Sequence, residues 1–182
     1  MMQTSTMIPL SSFIDDLDAR LKASGGSDSS LLEAFLESTP LSVFIPARFG
    51  GRGQEVHECL SLLETCSYHS LPLSLIAGIN GALFLQPFSR YANDELQETI
   101  FRRFMTQRAM GGLMITEPDY GSDALSMRTS FAEEGAGYRL KGTKHWGGLT
   151  GRADYWLLTA REAAPGGALG RNINFFVWDK AL

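Results

Sequence analysis

Only two cysteines and three histidines occur in this sequence, and their scarcity removes several functions at once. Cys59 and Cys66 stand seven residues apart within a helical pattern, on one helix face. There they read as small core residues in a reducing compartment, rather than as a disulfide or a metal pair. His57, His69 and His145 have no ligand spacing, so no metal site is expected. Positive charge is also short: 16 Lys and Arg against 20 Asp and Glu give a net charge of −4, which leaves no broad footprint for nucleic acid. The N-terminus lacks a basic segment leading into a long apolar run, so neither a signal nor a transit peptide is expected. The longest apolar stretch, LPLSLIAGINGALFL, is interrupted by Ser, Asn and Gly and is too short to span a bilayer comfortably. A cytoplasmic protein without membrane contact is the expectation.

What is present is ordinary globular material. The 182 residues are 44% hydrophobic and 20% charged, enough for one domain or two small ones. The first part has helical periodicity. Ser12 is placed to cap a helix carrying Phe13, Leu17 and Leu21, and Leu31, Leu32, Phe35 and Leu36 begin a second helix that Pro40 ends. Val56, Cys59, Leu60, Leu63 and Cys66 define one face of a third helix, and Pro72 to Tyr91 is apolar nearly all round. Asn93 or Asp94 caps the next helix, with Leu96, Ile100, Phe101 and Phe104 as its buried stripe. Gly111 and Gly112 suit a left-handed exit from it.

There the period changes. LMIT is a short strand, SMRTSFAEE and YRLKGTKHW are arms of a hairpin turning at Glu134–Gly137, and ADYWLLTAR and INFFVWDK flank the loop EAAPGGALGRN. The predicted fold is α+β: a helical bundle over residues 1–111, then an incomplete antiparallel β-barrel or sandwich over 112–182.

Three stretches carry more chemistry than their turns require. In ITEPDYGSD, Thr116, Ser122 and the amides around Gly121 offer donors and acceptors beside a glycine that permits close approach. The residues alone allow either a ligand site or a loop bonding to itself. In GTKHWGGLTG, Trp146 precedes two glycines that leave an indole face open for stacking, or else it caps the sheet's core. FIPARFGGRG lacks the Gly-Lys-Ser/Thr ending of a phosphate loop and reads as a connector.

Together these stretches resemble the acyl-CoA dehydrogenase family. IPARFGGRG is similar to its Ile/Val-Pro-x-x-Tyr/Phe-Gly-Gly-x-Gly loop, ITEPDYGSD to its Thr-Glu-Pro-x-x-Gly-Ser-Asp motif, and YRLKGTKHW to its Tyr-x-Leu-x-Gly-x-Lys-x-Trp hairpin, in order over about residues 30–182. The resemblance implies FAD bound between the β-domain and a C-terminal four-helix domain. Leu113 to Ser122 would run along the flavin, with Ile115 and Thr116 at the isoalloxazine edge. Gly121 and Ser122 would lie near the pyrophosphate, Ser122 also near the substrate's CoA portion. Trp146 would stack on the ring, with Gly147 and Gly148 near its reactive edge.

The implied reaction is α,β-dehydrogenation of an acyl thioester carried on CoA or a carrier protein, with an electron-transferring flavoprotein or oxygen as acceptor, in a homo-oligomer. The family's catalytic glutamate comes from the C-terminal domain, and none of Glu117, Glu133 or Glu134 takes its role, so no catalytic residue is assigned. After Trp146 the family has Ile-Thr/Ser-Asn/Ser, whereas Gly147, Gly148 and Leu149 follow here, so a hydroxyl is missing from position 148. A truncated, non-catalytic binding protein and one half of a split flavoenzyme are the alternative readings. Purified alone, the chain is expected to show no flavin absorbance; a yellow preparation with a stoichiometric flavin spectrum would contradict this.

Overall fold

Helical periodicity builds the first unit, Met1–Ala109. The structure is a computed structural model that describes residues 8–164, 166 and 168–181. The first seven residues of the helical segment, Pro165 and Gly167 of the loop EAAPGGALGRN, and Leu182 lie outside that description. Helix α1 (Leu10–Ala23) buries Phe13, Leu17 and Leu21. It starts two residues before Ser12, and Pro9 rather than a hydroxyl occupies the cap: proline's fixed φ sets the entry, and the Phe13 amide donates to the Pro9 carbonyl at 3.1 Å. Helix α2 (Asp28–Glu37) is capped by Ser27, which accepts from the Ser30 amide, and it ends before Pro40 opens a 3₁₀ turn, Pro40–Phe44.

Helix α3 (Val56–His69) buries Cys59, Leu62 and Cys66, while Val56 and Leu60 are 70% and 60% exposed. The stripe thus keeps Cys59 and Cys66 as expected, with the Cys59 thiol donating to the Val43 carbonyl at 3.6 Å, but takes Leu62 in place of Val56, Leu60 and Leu63. Helix α4 (Leu71–Gly78), a π-helical stretch (Ile79–Leu85) and helix α5 (Gln86–Tyr91) run on as 21 continuous residues, within which an 18-residue window reaches mean hydropathy 1.4. By length and composition this helix could cross a membrane, contrary to the expectation from its shorter apolar run, but a core helix passes the same test. Its Leu73, Ala77, Phe84, Leu85 and Phe88 are buried.

Helix α6 (Asp94–Gln107) is capped by Asn93, whose side chain accepts from the Leu96 amide at 2.9 Å. Ile100, Phe101 and Phe104 are buried as expected, but Gln97 takes the inner place expected of Leu96. Its amide group is satisfied there, donating to the Ala92 and Ser89 carbonyls at 2.6 and 3.0 Å. The FIPARFGGRG segment is held as a connector by Arg52, which donates to both oxygens of Glu58, at 2.6 and 3.0 Å, and to the Ile8 carbonyl at 3.1 Å.

The second unit, Met110–Leu182, is a mixed five-stranded sheet. Its strands are β1 (Gly111–Met114), β2 (Ser130–Glu134), β3 (Gly137–Lys141), β4 (Tyr155–Ala163) and β5 (Leu169–Asp179). The last two run further than expected, which shortens the loop between them to 164–168. Helix α6 leaves in left-handed conformation at Arg108 (φ 56°), not at the glycines. Gly111 and Gly112 are strand residues, and a Cβ on Gly112 would fall 2.6 Å from the Trp156 ring.

Strand β4 is the centre: β5 covers one edge antiparallel, and β1 then β2 share the other. The expected all-antiparallel pairing therefore does not hold, since β1 and β2 both run parallel to β4. The geometry requires this. The chain follows β4 as β1 as far as Met114 opposite Leu158, leaves on the excursion 115–129, and returns to the same edge as β2 at Ser130 opposite Arg161. The ladder between is open at Thr159 and Ala160. The β2–β3 hairpin turns as expected, at Gly135 (φ 60°).

Gly81 of the π-helical stretch lies against the Phe44 ring, where a Cβ would come within 2.4 Å of a ring carbon. Gly81→Ala is expected to overpack this core and lower stability by about 1–3 kcal/mol. Urea unfolding followed by circular dichroism measures it, with Ala82→Ser on the exposed side as the neutral reference.

Candidate functional site

The 115–129 excursion and the segment following β3 meet at the open stretch of the β4 ladder, and one buried ion pair joins them. Lys144 and Glu117 side chains are 8% and 5% exposed, with Nζ and Oε1 2.9 Å apart. The ammonium also donates to the Ile115 carbonyl at 3.1 Å and to Thr159 Oγ1 at 3.1 Å, so all three of its protons have oxygen partners. Thr159 Oγ1 passes a hydrogen bond on to the Met114 carbonyl at 3.3 Å. The Glu117 carboxylate further accepts the amides of Arg128 and Thr129 at 2.6 and 2.9 Å. Lys144 thereby fills the break between β1 and β2, where no neighbouring strand supplies partners.

Burial works against the charge on Glu117. The Thr129 hydroxyl, the Arg128 amide, Lys144 and the Thr129 amide outweigh it and hold the carboxyl down at about 2. That hydroxyl meets no partner in hydrogen-bond geometry, so it acts as a nearby dipole rather than through a formed bond. Glu117 is thus an anchored carboxylate, in agreement with its exclusion as a base.

The expected site residues fall on two adjoining segments. Leu113 is half-buried in β1 opposite Leu157. Ile115 and Thr116 are half-buried, and the Thr116 carbonyl accepts the His145 amide at 2.8 Å, which brings the bend beside Trp146. Trp146 is 86% exposed and holds φ 60°, a left-handed conformation that few non-glycine residues adopt. Its indole is no cap on the sheet's core.

Gly147 is half-buried, and a Cβ there would fall 2.6 Å from Met114 Cε and 2.8 Å from Thr150 Oγ1, so the chain lies flat against β1. Gly148 is exposed. The Thr150 hydroxyl donates to the Gly147 carbonyl at 2.6 Å, which commits its proton to the turn. Gly121 and Ser122 are exposed, past a tight bridge in which Glu117 and Tyr120 exchange backbone hydrogen bonds of 3.1 and 3.2 Å.

Lys144, the lysine of the Tyr-x-Leu-x-Gly-x-Lys-x-Trp hairpin, and Thr159, in the segment ADYWLLTAR, join the candidate site although neither was expected there. Lys144 lies 27 residues from Glu117 and 15 from Thr159, separations that no helical or strand period connects. Glu117→Gln is expected to cost roughly 3–5 kcal/mol, because it leaves the buried ammonium without its counter-charge. The sign with pH follows from the lowered pKa. The wild type keeps this contribution above the unfolded value near 4.5 and loses it as pH falls toward about 2. Unfolding free energies measured across that range should converge for wild type and variant at the acid end.

Comparison with known proteins agrees with the geometry. Residues 112–181 match the family model described as acyl-CoA dehydrogenase, middle domain. Cyclohexane-1-carbonyl-CoA dehydrogenase of Geobacter metallireducens is 28% identical over 163 residues, covering 88% of this chain and 42% of the relative. Mitochondrial isovaleryl-CoA dehydrogenase of Pongo abelii is 26% identical over 142 residues, covering 78% of this chain and 34% of the relative. A glutaryl-CoA dehydrogenase from Mycobacterium smegmatis, solved in complex with FADH2, shares the fold with a TM-score of 0.79 at 18% identity, over 97% of this chain and 47% of that one. The chain therefore spans about a third to a half of the length of these proteins. With the sheet, the bend and the paired Trp146 segment in place, the chain is similar to proteins of the acyl-CoA dehydrogenase family, and its residues 112–181 to their middle domain.

Proposed function

We propose that this chain forms one wall of an FAD site in a flavoenzyme that dehydrogenates an acyl thioester at its α and β carbons. The observation that carries the reading is the backbone bond between Thr116 and His145, which sets the bend beside an exposed indole held on a left-handed backbone. A large aromatic face left open to solvent at a backbone cost of about 1–3 kcal/mol suits a planar ligand.

The residues present fit such a ligand. Trp146 offers a stacking face, and Thr116 offers a half-buried hydroxyl beside it. Ser122 and the open space around Gly121 lie further along the bend, where phosphate oxygens can meet a hydroxyl and backbone amides. Leu113, Ile115, Gly147 and Gly148 complete the wall. Bound there, FAD supplies the hydride acceptor of the reaction. The chain's own part is to bind and orient: Trp146 fixes a plane, the 115–116 and 147–148 backbone offers donors along an edge, and the packed strand beneath excludes water.

Proton abstraction requires a carboxylate free to accept a proton. Glu117 is committed to Lys144 and two amides, so the base is a residue other than Glu117. The substrate class is an acyl thioester on CoA or a carrier protein, near Ser122. Electrons leave to an electron-transferring flavoprotein or to oxygen, and the working protein is a homo-oligomer.

The test is equilibrium titration of free FAD with the chain, followed by flavin fluorescence. Saturable quenching is expected, with an affinity too weak to retain flavin through purification. Trp146→Ala should weaken binding about tenfold, the equivalent of roughly 1.4 kcal/mol of stacking. Flavin emission unchanged by excess protein, or equal affinity in the variant, would overturn the reading.

A further inference from the structure

We propose that the Glu117–Lys144 pair is the positioning element of the flavin wall, holding Thr116 and Trp146 in mutual register for the ring; this rests on the flavin reading above. Each ring-facing candidate is tied to one member of the pair through the chain. Thr116 is the neighbour of Glu117, and Trp146 lies two residues beyond Lys144. Between them His145 bonds to Thr116 backbone to backbone at 2.8 Å. The bend is thus gripped at the Ile115 carbonyl and the Glu117 carboxylate by one ammonium. That ammonium is fixed in turn to the fully buried Thr159 of the central strand.

The arrangement differs from a general stabilising ion pair in where its bonds go. The carboxylate holds the returning end of the excursion through the amides of Arg128 and Thr129. The ammonium holds its departing end at Ile115 and, through Thr159, at Met114. Both ends of a fifteen-residue polar loop and the arm bearing Trp146 therefore share one charged joint. In a loop of that length, whose internal structure is the Glu117–Tyr120 bridge and the short Ala124–Ser126 turn, the pair adds a buried anchor beside the backbone bond from His145 to Thr116. A group held within a fraction of an ångström by buried supporting partners is what a precise ligand wall requires.

Lys144→Met removes the ammonium while keeping a long apolar side chain, Glu117→Gln keeps the carboxylate's shape, and Lys144→Arg retains charge and donors. Each full-length chain is titrated with FAD well below its melting temperature, and amide hydrogen exchange is read at His145 and along β4. The expected result is a loss of protection at His145 larger than the general loss along β4 that lower stability brings. FAD affinity should fall about tenfold in Lys144→Met and Glu117→Gln, the lower end of what supporting partners contribute at other sites. The visible bands of bound flavin should shift, and Lys144→Arg should restore part of both effects.

Folded variants that bind FAD with wild-type affinity and an unchanged spectrum overturn the positioning role and leave the flavin reading standing. Should Lys144→Met fail to fold, the isosteric Glu117→Gln decides by the same criteria. A wild-type chain that does not bind FAD while the variants still lose His145 protection overturns the flavin reading, and the proposal with it.

Discussion

A lysine ammonium withdrawn from water must find three acceptors, and much of the β unit follows from how Lys144 finds them. It stands where the ladder along β4 is open, between the end of β1 and the start of β2. There a carbonyl, a carboxylate and a hydroxyl converge on it from the departing bend and the central strand. Without such a plug, the interruption would leave strand groups unpaired in the interior. With it, the chain can throw out fifteen residues in the middle of a sheet edge and resume the same line. The polar excursion is thus built into the sheet's own architecture.

Strand β4 is the other half of that arrangement. It is paired to β5 along one edge and to β1 and β2 along the other, and Tyr155, Trp156, Leu157, Thr159 and Ala160 are buried. A buried threonine in such a run would be a liability in isolation. Here its hydroxyl accepts from Lys144 and donates to Met114, so both of its capacities are used. Polar demand in one place is met by polar supply in the other.

Much of the helical unit was legible because its signals are local. Asn93 caps a helix within three residues, and Phe13, Leu17 and Leu21 repeat at helical spacing. Illegibility begins where a long-range partner decides. Gln97 displaces Leu96 from the core because two carbonyls from the preceding turn await it. Val56 and Leu60 face outward while Leu62 takes the inner place beside Cys59 and Cys66. Gly112 serves the Trp156 ring across the sheet rather than the end of a helix, and no neighbouring residue signals that. The hairpin at Gly135 could be read, while the parallel registers on β4 could not, since alternation along a strand carries no direction. For the site, residue types marked the bend and Trp146 separately. Their adjacency was implied by family resemblance; Glu117 and Lys144 each stand in a motif that carries it, but no local period signals the ion pair between them.

The depressed pKa of Glu117 has a consequence for any chemistry carried out beside it. A carboxyl held at about 2 keeps one charge state throughout the range in which enzymes are ordinarily assayed. With the Lys144 ammonium 2.9 Å away, its charge adds little net field beyond its immediate surroundings. Neither limb of a bell-shaped pH–rate profile would belong to this carboxylate, so any limb observed reports an ionisation elsewhere in the reacting assembly. Glu117 is thus a fixed charge beside which the titration of a catalytic base can be read without its interference.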